Sequence, residues 1–206
     1  MTNFESAARN TLLWRVPGQS LASQGHNERL VEMLDLFPTI VDLAGLPPLP
    51  TCQGLDQPPG VICLQGTSYA AEFATTNEST RITDGSGNNV SGADSGGGLH
   101  AAIVDAKEYA FTQWPFPKWG NRTALRMGYT VRTMDGYRLT EYVYYNLDVF
   151  RGEWRQGTDD VELYDYNTDP WETTNHASSE SYAPIVNRLR AVLRQQYAPD
   201  LATAMA

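Results

Sequence analysis

The feature that most constrains the fold of this chain is a pair of alternating segments joined by Asp135-Gly136. Apolar and polar residues alternate over positions 129–133 and again over positions 137–145. A period of two is typical of a strand with one buried face, and Asp-Gly between two strands favours a two-residue type I′ turn. The sequence therefore predicts a β-hairpin in the C-terminal half.

Other elements flank this hairpin. The sequence predicts strands over 107–113 and 161–164, and a helix from about Tyr182 to Tyr197. That helix carries an apolar stripe, and its arginines lie outside the stripe; the stripe is Ile185, Val186, Leu189, Val192 and Leu193, and the arginines are Arg188, Arg190 and Arg194. A small antiparallel sheet with a helix on it follows from this order.

The N-terminal half contains a short apolar run and one clear helix signal. The run over 12–16 predicts a buried strand, because a Pro-Gly pair follows it. A proline inside a helix costs about 3 kcal/mol, so we place Asp35 at the N-cap and Pro38 in the first turn. Gly45 then stands at the C-cap, which predicts a helix over 35–45. A second, short helix is predicted over 66–74.

Two cysteines, Cys52 and Cys63, lie eleven positions apart in a Pro-rich segment. Their spacing is compatible with a disulfide and equally with two unrelated buried thiols. Three N-x-[ST] sequons, at Asn77, Asn89 and Asn121, are candidate glycosylation sites. A disulfide and glycosylation are both typical of a protein that matures in an oxidising compartment.

The formal net charge of −9 disfavours nucleic acid and anionic membranes as partners. No stretch of eighteen apolar residues is present, so no membrane span is predicted. The first residues lack a basic stretch followed by an apolar run, so no signal peptide is predicted in this chain.

No catalytic constellation stands out from the residue pattern. The three histidines, His26, His100 and His176, have no metal-ligand spacing to another histidine or to a cysteine, and no phosphate-binding or G-x-S-x-G motif is present. Lys118 and Arg122 lie close in the sequence to several aromatic residues. The group could bind an anion, or the aromatic residues could instead cover the edge of the sheet. The residues alone predict an α/β module without a visible active site.

Several ordered segments nevertheless resemble one family. DLFPTIVDLAGLP (35–47) is similar to a helix motif of sulfatases, and residues 2–18 resemble the segment after the catalytic lysine in the iduronate-2-sulfatase branch. TQWPFP (112–117), MGYTVRTMDGYRLTEYV (127–143) and ELYDYNTDPWETTN (162–175) resemble three later blocks of that branch. The chain thus resembles the C-terminal part of a sulfatase of the iduronate-2-sulfatase type.

This resemblance implies the C-terminal portion of an alkaline-phosphatase-like α/β fold. Residues 1–74 would end the large sulfatase domain, 75–105 would form a flexible Gly/Ser-rich loop, and 106–206 would form a subdomain of antiparallel sheet and C-terminal helix. The resemblance also implies a disulfide between Cys52 and Cys63, since that branch has one before a glycine-serine motif matched here by Gly66 and Ser68.

The resemblance further implies a lysosomal or secreted sulfuric ester hydrolase that acts on a sulfated glycan in glycosaminoglycan degradation. Such enzymes use calcium and a formylglycine made from the first residue of C/S-x-P-S-R. That motif is absent from these 206 residues. We therefore expect the catalytic groups in an N-terminal part, as partner of this chain, and expect the chain alone to be inactive. The alternative is a non-catalytic glycan-binding or regulatory module derived from a sulfatase.

The resemblance predicts roles for four residues. Gln113, Trp114 and Arg132 lie on segments that border the substrate cleft in the family, so each is a candidate for substrate contact. The alternatives are sheet packing for Trp114 and a surface ion pair for Arg132. Arg138 matches a family arginine that we interpret as structural, joining the sheet to a carboxylate.

Overall fold

The computed structural model describes residues 3–17, 27–52, 60, 62–73, 107–117 and 125–199. The chain divides into two compact units, one of Met1–Leu12 with Lys107–Ala206 and the other of Leu13–Ala106. The helices are α1 (Glu5–Ala8), α2 (Met33–Leu43) and α3 (Ala183–Tyr197), and short 3₁₀ turns lie at Ala70–Phe73, Trp154–Gln156 and Glu180–Tyr182. The strands are β1 (Tyr109–Pro117), β2 (Leu125–Thr133), β3 (Tyr137–Asn146), β4 (Arg151–Gly152) and β5 (Thr158–Asp165).

The first unit is an antiparallel sheet with α3 packed on one face. Its strands lie in the order β1-β2-β3-β5, and β4 pairs with the end of β3. The predicted small antiparallel sheet with a C-terminal helix is therefore confirmed. The buried core cluster contains side chains from alternate positions of β2 and β3, one from β5 and three from α3: Met127, Tyr129, Val131, Leu139, Val143, Leu163, Val186, Leu189 and Leu193. Burying each such side chain stabilises the unit by about 1.5–3 kcal/mol.

The hairpin of β2 and β3 is confirmed, but its predicted turn type is wrong. A type I′ turn needs positive φ at both central residues, and only Gly136 has it, at +93°. Thr133 pairs with Tyr137 through its side chain, so the loop has three residues and a glycine bulge. Asn167 packs against this turn, since its side-chain amide donates to the Asp135 carbonyl at 3.0 Å and would lie 2.5 Å from a Cβ at position 136.

One charged residue interrupts the apolar face beneath α3. Glu141 on β3 is 0% exposed, and one of its carboxylate oxygens accepts hydrogen bonds from Arg190 and Arg194 of α3. The Thr158 hydroxyl donates to the same oxygen at 3.3 Å. These two arginines, predicted outside the apolar stripe, thus fix α3 to the sheet through a buried carboxylate.

In the second unit, α2 begins earlier than the predicted N-cap at Asp35. Glu32 is the N-cap, and Asp35 completes a capping box by accepting a hydrogen bond from the Glu32 backbone N–H at 2.8 Å. Pro38 consequently lies inside the helix, not in its first turn. At the other end, Gly45 (φ +64°) follows the last turn as predicted, with hydrogen bonds that form a Schellman motif.

The segment from Gly66 packs on α2 near Pro38. Proline has no N–H to donate to the carbonyl four residues earlier, which here belongs to Leu34. Gly66 packs against that carbonyl so closely that an added Cβ would lie 2.0 Å from its oxygen. The next residues bind α2, since Thr67 N–H donates to Asp35 at 2.8 Å and Tyr69 N–H donates to the Thr39 hydroxyl at 3.1 Å.

Two further features belong to this part of the chain. Cys52 and Cys63 form a disulfide with a Cα–Cα distance of 4.9 Å, and the Cys52 N–H donates to the carbonyl of Leu64. The predicted strand over 12–16 is absent, and the helix predicted over 66–74 is reduced to the 3₁₀ turn. A strand needs a hydrogen-bonding neighbour, and no described segment pairs with residues 12–16.

Several predictions lie outside the described residues. They are the loop over 75–105, the sequons at Asn77, Asn89 and Asn121, and the side chains of His26, His100, Lys118 and Arg122. Within the described part of the chain, no helix is both long enough and apolar enough to span a membrane.

Candidate functional site

The three predicted substrate contacts do not converge in this chain. Gln113 and Trp114 are neighbours on β1, so their side chains project to opposite faces of the sheet. Gln113 lies opposite Tyr129, on the α3 side, whereas Trp114 lies opposite Gly128 on the other face. Arg132 shares the face of Trp114 but is four residues farther along β2, about 13 Å away at 3.3 Å per residue. A role for these residues in a substrate cleft stays a prediction.

Arg132 is held by groups of its own unit. Its guanidinium lies 4.1 Å from the centre of the Tyr166 ring, and its Nε is 3.7 Å from a carboxylate oxygen of Glu5. Its Nη1 donates to the backbone carbonyl of Thr133. The ion pair that we considered as the alternative for Arg132 is therefore present.

The sheet face opposite α3 is built from polar and aromatic side chains, and we call it the arginine face: Thr130, Arg132, Arg138, Thr140, Tyr142 and Tyr164. The hydroxyls of Thr130 and Thr140 form a hydrogen bond of 2.7 Å between β2 and β3. Arg138 is 2% exposed, and its guanidinium lies 5.1 Å from the Phe4 ring and 5.4 Å from the Tyr164 ring. A buried guanidinium between two aromatic rings is favourable but still needs a counter-charge.

Glu172 provides that counter-charge. Its carboxylate forms an ion pair with Arg138, accepts the Tyr166 hydroxyl and accepts the backbone N–H of Glu5 at 3.0 Å. Glu172 has φ +57°, a left-handed conformation that costs a residue of this kind about 1–3 kcal/mol. The prediction that Arg138 joins the sheet to a carboxylate is confirmed.

The turn that presents Glu172 is fixed by its neighbours in the motif DPWETTN. One oxygen of Asp169 accepts the backbone N–H groups of Thr173 and Thr174 at 2.6 and 2.9 Å. Asn175 accepts the backbone N–H of Leu163 at 3.0 Å and so attaches the turn to β5. These bonds give Asp169 and Asn175 a structural role in the turn that presents Glu172.

The N-terminal segment completes the arginine face. The Asn3 side chain donates to the Gly128 carbonyl at 2.9 Å and is 2% exposed. Phe4 meets the Tyr164 ring edge-on at 5.8 Å. Glycine at position 128 allows this close approach, because a Cβ there would lie 2.6 Å from the Asn3 amide and 2.9 Å from the Tyr142 ring and would displace them. Residues 3–8 are therefore part of the sheet unit, an arrangement that the sequence pattern did not predict.

Burial sets the protonation of this face. Burial, reinforced by nearby carboxylates, raises the pKa of Tyr164 to about 12. For the same reasons the pKa values of Tyr142 and Tyr166 are higher still. Burial also raises the pKa of Glu162, although the Tyr142 hydroxyl donates to it at 3.2 Å. The tyrosines therefore act as hydrogen-bond donors near neutral pH and not as bases or nucleophiles.

The described residues do not fit the calcium and formylglycine that the family resemblance implies. No group of three His, Cys, Asp or Glu side chains within the described part is placed to hold a metal ion. Both cysteines are in the disulfide, so neither sulfur is free for oxidation to formylglycine. His176 stacks on Tyr182, with ring centres 4.5 Å apart.

The arginine face and the Glu172 turn are formed by segments that resemble sulfatase motifs. No family model matches the chain. Among curated proteins, the chain is 26% identical over 235 residues to iduronate 2-sulfatase of Mus musculus. The match covers 92% of this chain and 36% of that protein, so the chain spans about a third of its relative. The predicted resemblance to a sulfatase of the iduronate-2-sulfatase type is confirmed.

Two solved structures are similar at lower levels. A putative sulfatase from Bacteroides thetaiotaomicron has a TM-score of 0.43 and 21% identity, over 78% of this chain and 23% of its own. BT4656, in complex with its substrate D-glucosamine-2-N,6-O-disulfate, has a TM-score of 0.40 and 20% identity, over 79% of this chain and 24% of its own.

Proposed function

We propose that this chain is the non-catalytic C-terminal part of a sulfuric ester hydrolase that acts on a sulfated glycan. The observation that carries the proposal is the match to iduronate 2-sulfatase, which extends over nearly the whole chain but over only 36% of the relative. The contacts of Arg138 and Glu172 support a structural role for these two residues of the matched motifs.

The catalytic groups are proposed to lie in an N-terminal part of the same enzyme. This chain contains no C/S-x-P-S-R motif, and its two cysteines are joined to each other. Calcium and formylglycine therefore belong to that other part. A lysosomal or secreted location fits this proposal, since a disulfide persists in an oxidising compartment.

The exposed face of α2 supports the existence of such a partner. Met33, Phe37 and Ile40 lie at helical spacing and are 76%, 54% and 51% exposed. Leu34 and Leu46 extend the same apolar surface. An amphipathic helix normally buries this kind of stripe, and a contiguous exposed apolar patch marks an interaction surface. A module that functions alone would be expected to carry polar residues there, so the stripe favours a part of a larger enzyme.

The first prediction concerns activity. We expect the purified 206-residue chain to hydrolyse no 4-methylumbelliferyl sulfate, with or without added calcium, because it lacks the nucleophile and its clamp. Fluorescence of the released product measures turnover, circular dichroism verifies folding, and a complete sulfatase serves as positive control. Calcium-dependent turnover that co-purifies with the folded chain would refute the proposal.

A further inference from the structure

A groove in the sheet unit lies between α1 and the turn at 170–172. It has a volume of about 490 Å³. One side is lined by Phe4, Glu5, Ser6 and Arg9, and the other by Pro170, Trp171 and Glu172. That volume lies within the range of small-molecule sites. The sequence did not predict the groove, because its two sides are more than 150 positions apart.

The indole of Trp171 is presented to solvent by a stiff turn. Trp171 is 85% exposed, although an exposed tryptophan loses the benefit of burying a large apolar ring. Its backbone N–H donates to Asp169 at 3.3 Å, Pro170 precedes it, and Glu172 after it is fixed by Arg138. The backbone of the turn is therefore fixed before binding, which lowers the entropic cost of capturing a ligand.

The charges of the groove favour an anion. The carboxylate of Glu172 is neutralised by Arg138, and that of Glu5 lies 3.7 Å from Arg132. Arg9, 67% exposed, is also 3.9 Å from Glu5, a distance at which a surface ion pair contributes little. The most exposed charge at the groove is therefore a guanidinium, whose fork of donors matches sulfate and carboxylate groups.

We propose that this groove is a binding subsite for an anionic sugar ring of a sulfated glycan, in which Trp171 stacks on the ring and Arg9 binds its sulfate or carboxylate group. The electron-rich face of an indole suits the polarised C–H groups of a pyranose ring. A protein partner is a weaker match, because the lining combines aromatic rings and a proline with charged side chains, unlike the continuous apolar surface of α2. This inference rests on the proposed function for its class of ligand.

The experiment is calorimetric titration of the folded chain with a sulfated heparin tetrasaccharide and with the same tetrasaccharide after removal of its sulfates. We expect Trp171→Ala to weaken binding at least tenfold and Arg9→Gln about fivefold. The matched controls are Phe150→Ala, which removes another exposed aromatic ring (75% exposed), and Arg188→Gln, which removes another exposed guanidinium. Both should stay within twofold of the unmodified chain.

Titration with the desulfated sugar distinguishes whether Arg9 binds a sulfate or a carboxylate group. If Arg9 binds sulfate, the unmodified chain binds that sugar at least fivefold more weakly and Arg9→Gln has no further effect. If Arg9 binds carboxylate, Arg9→Gln weakens both sugars equally; either result supports the subsite. The proposal is overturned if the unmodified chain binds neither sugar, if Trp171→Ala has no effect, or if the controls lose as much affinity. It is also overturned if Trp171→Ala abolishes only co-purification with the catalytic part, because the groove would then be a protein interface.

The titration is independent of catalysis. Binding that depends on Trp171, in an intact protein without sulfatase activity, would overturn the proposed function alone. Sulfatase activity in an intact protein whose chain binds no sugar through Trp171 would overturn the subsite alone.

Discussion

Replacing Arg138 with methionine is expected to lower the free energy of unfolding of the sheet unit by about 3–5 kcal/mol, the range for removing one partner of a buried ion pair. Methionine fills much of the volume but leaves the Glu172 carboxylate buried without its counter-charge. Glu172 also accepts the backbone N–H of Glu5, so attachment of the N-terminal segment is expected to weaken as well. Urea unfolding followed by far-ultraviolet circular dichroism measures the effect.

A double variant keeps this prediction informative if the single variant does not fold. Arg138→Met combined with Glu172→Gln removes both charges, while glutamine can still accept hydrogen bonds. The double variant should therefore be more stable than Arg138→Met alone. In the intact enzyme of the proposed function, we expect Arg138→Met to reduce the folding yield and leave the specific activity of the folded fraction normal. Normal yield with lost specific activity would contradict a structural role for Arg138.

Replacing Glu141 with alanine is expected to destabilise the chain by about 3 kcal/mol, at the lower end of the range for a broken buried pair. The carboxylate is 0% exposed, and its loss removes the link from β3 to Arg190 and Arg194. These arginines are 32% and 22% exposed, so they can turn towards water, which limits the cost. The same urea titration reports the change.

The matched control for this prediction is Arg188→Ala. Arg188 lies on the same helix and forms an ion pair with Asp135 at 2.7 Å, but both side chains are exposed. Removing that pair should cost less than about 1 kcal/mol. Equal effects of Glu141→Ala and Arg188→Ala would show that Glu141 does not fix α3 to the sheet.

The sequence predicted the elements whose signals are local. Alternation around Asp135-Gly136 identified the hairpin, and the apolar stripe from Ile185 to Leu193 identified α3. Two local predictions were wrong at places where residues distant in the sequence pack against the element. The turn at Gly136, which packs against Asn167, has three residues and is not of type I′. The helix α2, which Gly66 approaches at the Leu34 carbonyl, begins before Asp35 and contains Pro38. The burial of Glu141 was also not predicted, because a glutamate within an alternating strand is normally exposed.

The candidate sites also include some that the sequence predicted and one that it did not. The contact of Arg138 with a carboxylate was predicted from the family motif and is confirmed by its ion pair with Glu172, whereas its structural role stays a prediction. The groove at Trp171 was missed, because a single tryptophan in a turn carries no periodic signal and Arg9 is far away in the sequence. Contact of Gln113, Trp114 and Arg132 with substrate stays a prediction, since the cleft that they would border includes the proposed N-terminal part.

The measurement that tests the central claim most directly is the sequence of the native transcript on the 5′ side of the codon for Met1. If this chain is part of a sulfatase of the iduronate-2-sulfatase type, the open reading frame continues upstream in frame. It then encodes a lysine next to Met1, an Asp-His metal pair and a C/S-x-P-S-R motif. An in-frame stop codon directly upstream of Met1, in a transcript without these motifs, would contradict the account and leave a glycan-binding module as the function.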